Sequence, residues 1–364
     1  MEKINITISS LNIYHPLFFD YDYPEGITTY AKENNIKKVA IICDSTTETL
    51  FGFDLIKQLT EKSIDTYLFS FPKGDENKTQ KSKELIENYL FMNNFSKNDL
   101  LVALGGGVVS DLVGFISATY KRGVSYISIP TTLLSMVDCA IGGKTGINTS
   151  HGKNLIGCFS FPKVVYINNF FIQTLPQNEL LNGLAEIVKY AIIYDKDFFT
   201  TLMQMKNLSS FSPIIKKCLT IKKKIIEQDP LDKNIRKMLN FGHTIGHAFE
   251  VLSNYTLPHG FAVAYGMILE SFISYQLSFL SYKDLTSVFT LIEKFFPFTK
   301  NPPIQELNKK AFLKTLLLDK KNSSDTIQIV ILEEIGKVFS TQNEYTQPID
   351  KALILNAYDK VFKS

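Results

Sequence analysis

The stretch "LVALGGGVVSDLVGFISATYKRG", residues 101 to 123, runs from an apolar segment through three glycines into a helical pattern. A short continuous apolar run suits a strand buried on both faces. Gly105, Gly106 and Gly107 then allow a tight turn, and a helix that starts there aims backbone amides at whatever anion approaches. In outline this is a phosphate or pyrophosphate site, although GGG is not GxGxxG and a glycine turn after a strand can be purely structural. Working outward, "KKVAIICD" (37 to 44), "VSYISIP" (124 to 130) and "KVVYIN" (163 to 168) repeat the buried-strand signature with helical stretches between them. That alternation predicts a parallel sheet with crossover helices. Asp44 ends one such strand, where a carboxylate can accept ribose hydroxyls or simply cap a helix. With the glycine turn it favours a dinucleotide.

The chain changes character near residue 175. Beyond it, long amphipathic patterns dominate, at 178 to 194, 212 to 228, 238 to 254, 260 to 280 and 284 to 296. The expected organisation is therefore an α/β domain over 1–175 and a mostly α-helical domain over 176–364, as 364 residues exceed what one core usually serves. A formal charge of +3, with no basic run interleaved with aromatics, gives no reason to expect a nucleic-acid partner. The densest basic cluster, "IKKKIIE" at 221 to 227, reads as a solvated helix face. Cys43, Cys139, Cys158 and Cys218 are far apart and form no CxxC pair, which argues against disulfides and a thiolate zinc site. The amino terminus alternates like a strand and lacks the regions of a signal peptide, and no apolar run approaches the ~20 residues of a membrane helix. A cytoplasmic protein is expected.

Two segments carry further chemistry. "MVDCAIGGKTGINTSHGKNLIGCF" (136 to 159) sets Asp138, Lys144, Lys153 and Asn154 among five glycines, as in a loop closing on an oxygen-rich anion. "NFGHTIGHAFE" (240 to 250) puts His243 and His247 one helical turn apart, with His259 in "LPHGFAVAYG" and Glu186 in "NGLAEIVKYAII" as further donors. A carboxylate with two imidazoles is a common catalytic zinc shell, so three histidines compete for two places.

Taken in order, "GGGVVSDLVGF", "YKRG", "IPTTLLSMVD", "IGGKTGIN", "GKNLIG", "GLAEIVKY", "LNFGHTIGHA" and "PHGFAVAYGM" resemble the 3-dehydroquinate synthase family of sugar-phosphate cyclases over nearly the whole chain. The resemblance implies an N-terminal Rossmann-like domain holding NAD and a C-terminal domain holding Zn2+, with Co2+ as an alternative. The substrate, 3-deoxy-D-arabino-heptulosonate 7-phosphate, would lie in the cleft between them. It would be converted to 3-dehydroquinate and phosphate by transient oxidation, β-elimination, reduction, ring opening and aldol closure, a lyase reaction of the shikimate pathway. The family pattern puts the metal on Glu186, His243 and His259 and leaves His247 to handle protons. NAD would meet Asp44, Asp75, Lys78, Gly106, Gly107, Asp111, Thr131, Thr132, Lys153 and Thr174. Substrate would meet Arg122, Asp138, Lys144, Asn154, Lys189, Lys222, Arg236, Asn240 and Lys320. His247, Lys144, Asp232, Arg236 and Asn240 form the implied catalytic set, and a homodimer is expected.

The sequence departs from the family at Asp75, Asp232 and Asn234, where Glu, Glu and Gly are usual, and at Phe261. Phe261 replaces a Glu after the His-Gly pair, so a carboxylate that could support the metal site is absent there. Three alternatives share some of these motifs. Another sugar-phosphate cyclase would keep the fold, NAD and zinc; a metal-dependent polyol dehydrogenase would release NADH; a zinc-stabilised binding protein would leave the lysine and arginine set unexplained.

Overall fold

The 101–123 stretch becomes the middle of a seven-stranded sheet. In the computed structural model, residues 2–205, 210–297, 303–304, 307–317 and 326–363 are described. The strands are β1 (Glu2–Ile8), β2 (Ile13–Phe19), β3 (Lys38–Asp44), β4 (Asp65–Phe71), β5 (Leu100–Gly105), β6 (Ser125–Pro130) and β9 (Val164–Ile167), ordered β1-β2-β9-β6-β5-β3-β4. Every neighbouring pair is parallel except β1 with β2. All six residues of β5 are buried, as its unbroken apolar run requires. Its neighbours pack with the Gly107–Thr119 helix into one core that includes Ala40, Ile42, Leu101, Ala103, Leu112 and Ile116.

Two expectations are corrected here. The alternating amino terminus is two strands folded back at Asn12, whose left-handed φ of 51° makes the reversal. The glycine-rich 136–159 segment is not an open loop: much of it is an antiparallel hairpin of β7 (Lys144–Thr149) and β8 (Gly152–Phe159). Its glycines serve close backbone approach. A Cβ on Gly157 would sit 2.0 Å from the Thr145 carbonyl, and one on Gly146 would sit 2.4 Å from that of Ile156.

The chain divides into two compact units, Met1–Leu175 with Lys222–Pro230, and Pro176–Ile221 with Leu231–Ser364. The change near 175 is thus one crossing among three. Residues 222–230 group with the first unit, and two side chains tie them there. The Lys222 ammonium donates to the Asp138 carboxylate at 2.7 Å, and Glu227 accepts from the Thr7 amide at 2.8 Å. The second unit is mainly helical, with Gln177–Tyr194, Lys196–Gln204, His243–Leu252, His259–Gln276 and Tyr282–Phe295, plus short strand pairs near its carboxyl end. The pattern at 238 to 254 is two pieces, a 3-10 turn Ile235–Asn240 and a helix that begins at His243, separated by Gly242 at φ +77°. No helix among the described residues is long and apolar enough to cross a membrane.

Candidate metal centre and dinucleotide site

In the second unit, glycines bring three helices close enough for their side chains to converge. A Cβ on Gly246 would lie 2.8 Å from the Ala262 carbonyl, and one on Gly266 would lie 1.9 Å from that of Gly242. The His243–Leu252 and His259–Gln276 helices therefore cross backbone to backbone. Gly260 repeats the device against the Gln177–Tyr194 helix, with 2.6 Å from its virtual Cβ to the Leu181 carbonyl. Each helix contributes one donor to a cluster of Glu186, His243 and His259. Nε2 of His243 is 3.1 Å, and Nε2 of His259 3.7 Å, from Oε1 of Glu186. Nδ1 of His243 is 3.1 Å from the Phe241 carbonyl, which leaves Nε2 facing the cluster.

Glu186 is 1% exposed and lies against the Lys189 ammonium. Burial opposes its ionisation, but Lys189 and His243 outweigh burial and hold the carboxyl well below the usual carboxylate range. His243 is lowered by burial and by Lys189, against the pull of Glu186. His259 is pushed up to about 9, burial being overcome by Glu186 and Glu250. Both Glu186 oxygens are buried outside hydrogen-bond geometry, although nitrogens stand close. An ionised carboxylate and two imidazoles, converging with one nitrogen each on the same carboxylate oxygen, suit a divalent cation with N/O ligands.

His247 is exposed; its ring centroid lies 5.4 Å from that of His243 and 6.3 Å from that of His259. It also falls in a second group, with Glu250 and His259. Glu250 escaped the sequence reading, although positions 243, 247 and 250 share a helix face. Its carboxylate is 4% exposed, and Oε1 stands 3.5 Å from Nδ1 of His259. Position 261 supplies no carboxylate, as the sequence requires, but Glu250 provides His259 with one from another helix. Phe261 packs edge-on against Phe296, at 5.3 Å between centroids. Arg236 is buried, Asp232 adopts φ +57°, and the Asn240 amide donates to the Lys237 carbonyl at 2.8 Å. Lys320 lies outside the described residues.

In the first unit, Gly106 caps the Gly107–Thr119 helix with no side-chain hydrogen bond, so the first-turn amides remain available to an anion. Room behind the turn is small. Virtual Cβ atoms on Gly106 and Gly107 would reach Thr132 at 3.0 Å and Cys139 at 3.1 Å. The Thr131 amide donates to the Gly105 carbonyl at 3.0 Å, tying the ends of β5 and β6 together. Asp44 uses Oδ1 to accept from the amides of Thr46 and Thr47, the capping role weighed above. A set of opposed charges surrounds the hairpin. Lys78 binds Asp111 and, at 2.6 Å, Asn154; Lys153 pairs with Asp75 at 3.0 Å; Lys222 holds Asp138. Burial raises the Asp111 carboxyl despite Lys78. Asn148, not singled out in the sequence, pins the 75–78 turn by donating to the carbonyls of Asp75 and Lys78. Lys144 is exposed at the start of β7, and Thr174 donates to the Phe171 carbonyl. Arg122 is not brought to this group. It is exposed beyond the far end of the Gly107–Thr119 helix, roughly 20 Å of helix from the glycine turn.

Comparisons with known proteins identify the family. Residues 68–182 match the family model "3-dehydroquinate synthase N-terminal", and residues 183–322 match "3-dehydroquinate synthase C-terminal". A 3-dehydroquinate synthase of Sulfurimonas denitrificans is 38% identical over 347 residues, covering 94% of this chain and 97% of its own. Among solved structures, 2-deoxy-scyllo-inosose synthase complexed with carbaglucose-6-phosphate, NAD+ and Co2+ aligns with TM-score 0.87 at 21% identity, over 99% of this chain and 100% of the other. The 2-epi-5-epi-valiolone synthase of Streptomyces hygroscopicus, with NAD+ and Zn2+ bound, gives 0.81 at 22% identity, over 95% and 96%. At such identities these two structures establish a shared fold.

Proposed function

The chain belongs to the 3-dehydroquinate synthase family, and we infer that it converts 3-deoxy-D-arabino-heptulosonate 7-phosphate to 3-dehydroquinate and phosphate. The observation that carries this reading is the convergence of ionised Glu186 with His243 and His259, in a chain whose other unit presents a glycine turn to an anion. Glu186, His243 and His259 hold the metal. Zinc or cobalt bound there supplies Lewis-acid polarisation of a substrate hydroxyl. NAD, bound at Gly106 and Gly107 with Asp44, Asp75, Lys78, Asp111, Thr131, Thr132, Lys153 and Thr174 around it, supplies a hydride acceptor that is regenerated within the cycle.

The chain's own groups do the rest. His247, exposed and outside the metal set, moves the proton. Lys189 keeps Glu186 ionised and presents an ammonium to substrate oxygen. In the second unit Arg236 and Asn240 contact substrate, with Asp232 nearby in the chain. In the first unit Lys144, Asn154, Asp138 and Lys222 do so. Fixed cations of this kind stabilise developing negative charge without reorganising. Arg122 is proposed as a phosphate contact from the residue pattern alone. The protein is proposed to be a cytoplasmic homodimer.

Purified protein incubated with the heptulosonate phosphate should release one phosphate per 3-dehydroquinate formed, with no steady-state rise in NADH absorbance. NADH growing in step with product would instead indicate a dehydrogenase. Turnover of a hexose 6-phosphate with none of the heptulosonate would move the chain to the other cyclases.

A further inference from the structure

His259 has two ring nitrogens in different company. Nε2 faces Glu186 and His243, whereas Nδ1 faces Glu250 at 3.5 Å. Glu250 is buried, and its backbone carbonyl accepts from the Tyr255 amide at 2.7 Å and the Ser253 hydroxyl at 2.9 Å, which anchors the end of the helix that carries it. It lies seven residues after His243 on one helix, so the helix that presents a metal ligand also presents the carboxylate behind its neighbour. An imidazole can bind a cation through Nε2 only if its remaining proton sits on Nδ1, and a carboxylate facing Nδ1 selects that tautomer.

We propose that Glu250 is a positioning residue that fixes the ring and tautomer of His259 through Nδ1, presenting Nε2 to the metal. The position after His259-Gly260 is thereby released from that duty, and the half-buried Phe261 packs against Phe296. The inference rests on the assignment of the metal to Glu186, His243 and His259, and the test separates the two.

Metal-free Glu250→Gln and Glu250→Leu are titrated with zinc against a chromophoric chelator, and with Co2+ followed by its d–d absorption. Gln can still accept from Nδ1–H but is neutral, so affinity should fall about 10-fold; Leu cannot accept at all and should lose about 100-fold. The Co2+ spectrum should change in both, whereas a purely structural role would leave the bound-metal spectrum as in wild type. In wild-type zinc-loaded protein, 15N NMR of His259 should show the proton on Nδ1, a result that does not depend on any variant folding. Wild-type affinity and spectrum in both variants, or a metal-bound Nδ1, overturns the proposal. A second zinc per chain that Glu250→Gln alone removes also overturns it, placing an ion on His247, Glu250 and His259. If His243→Ala keeps its zinc, the ligand assignment itself has failed; if His243→Ala loses zinc while the Glu250 variants do not, only the present inference has.

Discussion

His243 and His247 occupy one face of one helix, yet their surroundings give them different chemistry. His243 is held by the Phe241 carbonyl and faces a buried, ionised Glu186, whereas His247 is open to solvent. His243→Ala should therefore lose both metal and activity. His247→Ala should keep near-stoichiometric zinc and lose about 10² to 10⁴ in turnover, the range for a removed general acid or base. Metal analysis after dialysis decides between them. His259 adds a pH signature. Its folded value of about 9 exceeds the ordinary 6.5, so in metal-free protein it contributes stability below pH 6.5 that is lost as pH rises through 9. That contribution is about 3 kcal/mol at most, at ~1.4 kcal/mol per unit. Zinc must displace the same proton, so affinity should climb with pH up to about 9, as chelator competition at several pH values would reveal. A flat affinity profile would contradict this environment for His259. Glu186 and the three histidines were legible as residue types, but spacing alone left three histidines for two places. What separates them is a tertiary approach that a local pattern does not encode, and Glu250 was passed over because a lone Glu on a helix is ordinary.

At the scale of elements, the metal donors are set by glycines that let backbones touch. Gly260→Ala would place a methyl 2.6 Å from the Leu181 carbonyl, which cannot swing aside as a side chain can. The His259–Gln276 and Gln177–Tyr194 helices must then part, so zinc affinity should fall at least tenfold and stability by about 1 to 3 kcal/mol. Gly52→Ala is the control. It meets only side chains, at 3.4 Å or more, in a helical backbone, and should be neutral or slightly stabilising. Unfolding midpoints and zinc titrations of the two variants check this. Elements with a strong period were readable: β3, β6 and β9 fall inside the apolar runs, β5 begins one residue before the quoted one, and the Gln177–Tyr194 and Ser212–Gln228 helices match their patterns within a residue. The hairpin of β7 and β8 was not readable, because glycines needed for close strand approach look the same in sequence as glycines of a loop. The break at Gly242 was hidden in the same way by a helical period on either side of it.

For the molecule as a whole, the two units divide the chemistry, with the glycine turn and its charged hairpin in one and the metal cluster in the other. Their composition in sequence is less simple than one cut. The first unit includes Lys222–Pro230, which delivers an ammonium to Asp138 and a carboxylate to the Thr7 amide. A fragment ending at residue 175 should therefore unfold at lower denaturant than the same fragment supplied with a peptide spanning 212 to 230. Chemical denaturation with and without the peptide tests it, and no change in midpoint would mean these ties contribute nothing. The same arrangement imposes an order on birth. As the chain emerges from the ribosome at roughly 5 to 20 residues per second, the sheet is complete in sequence several seconds before its last stabilising segment exists. The sheet unit gains these two ties only after a piece of the carboxyl-terminal half has been made.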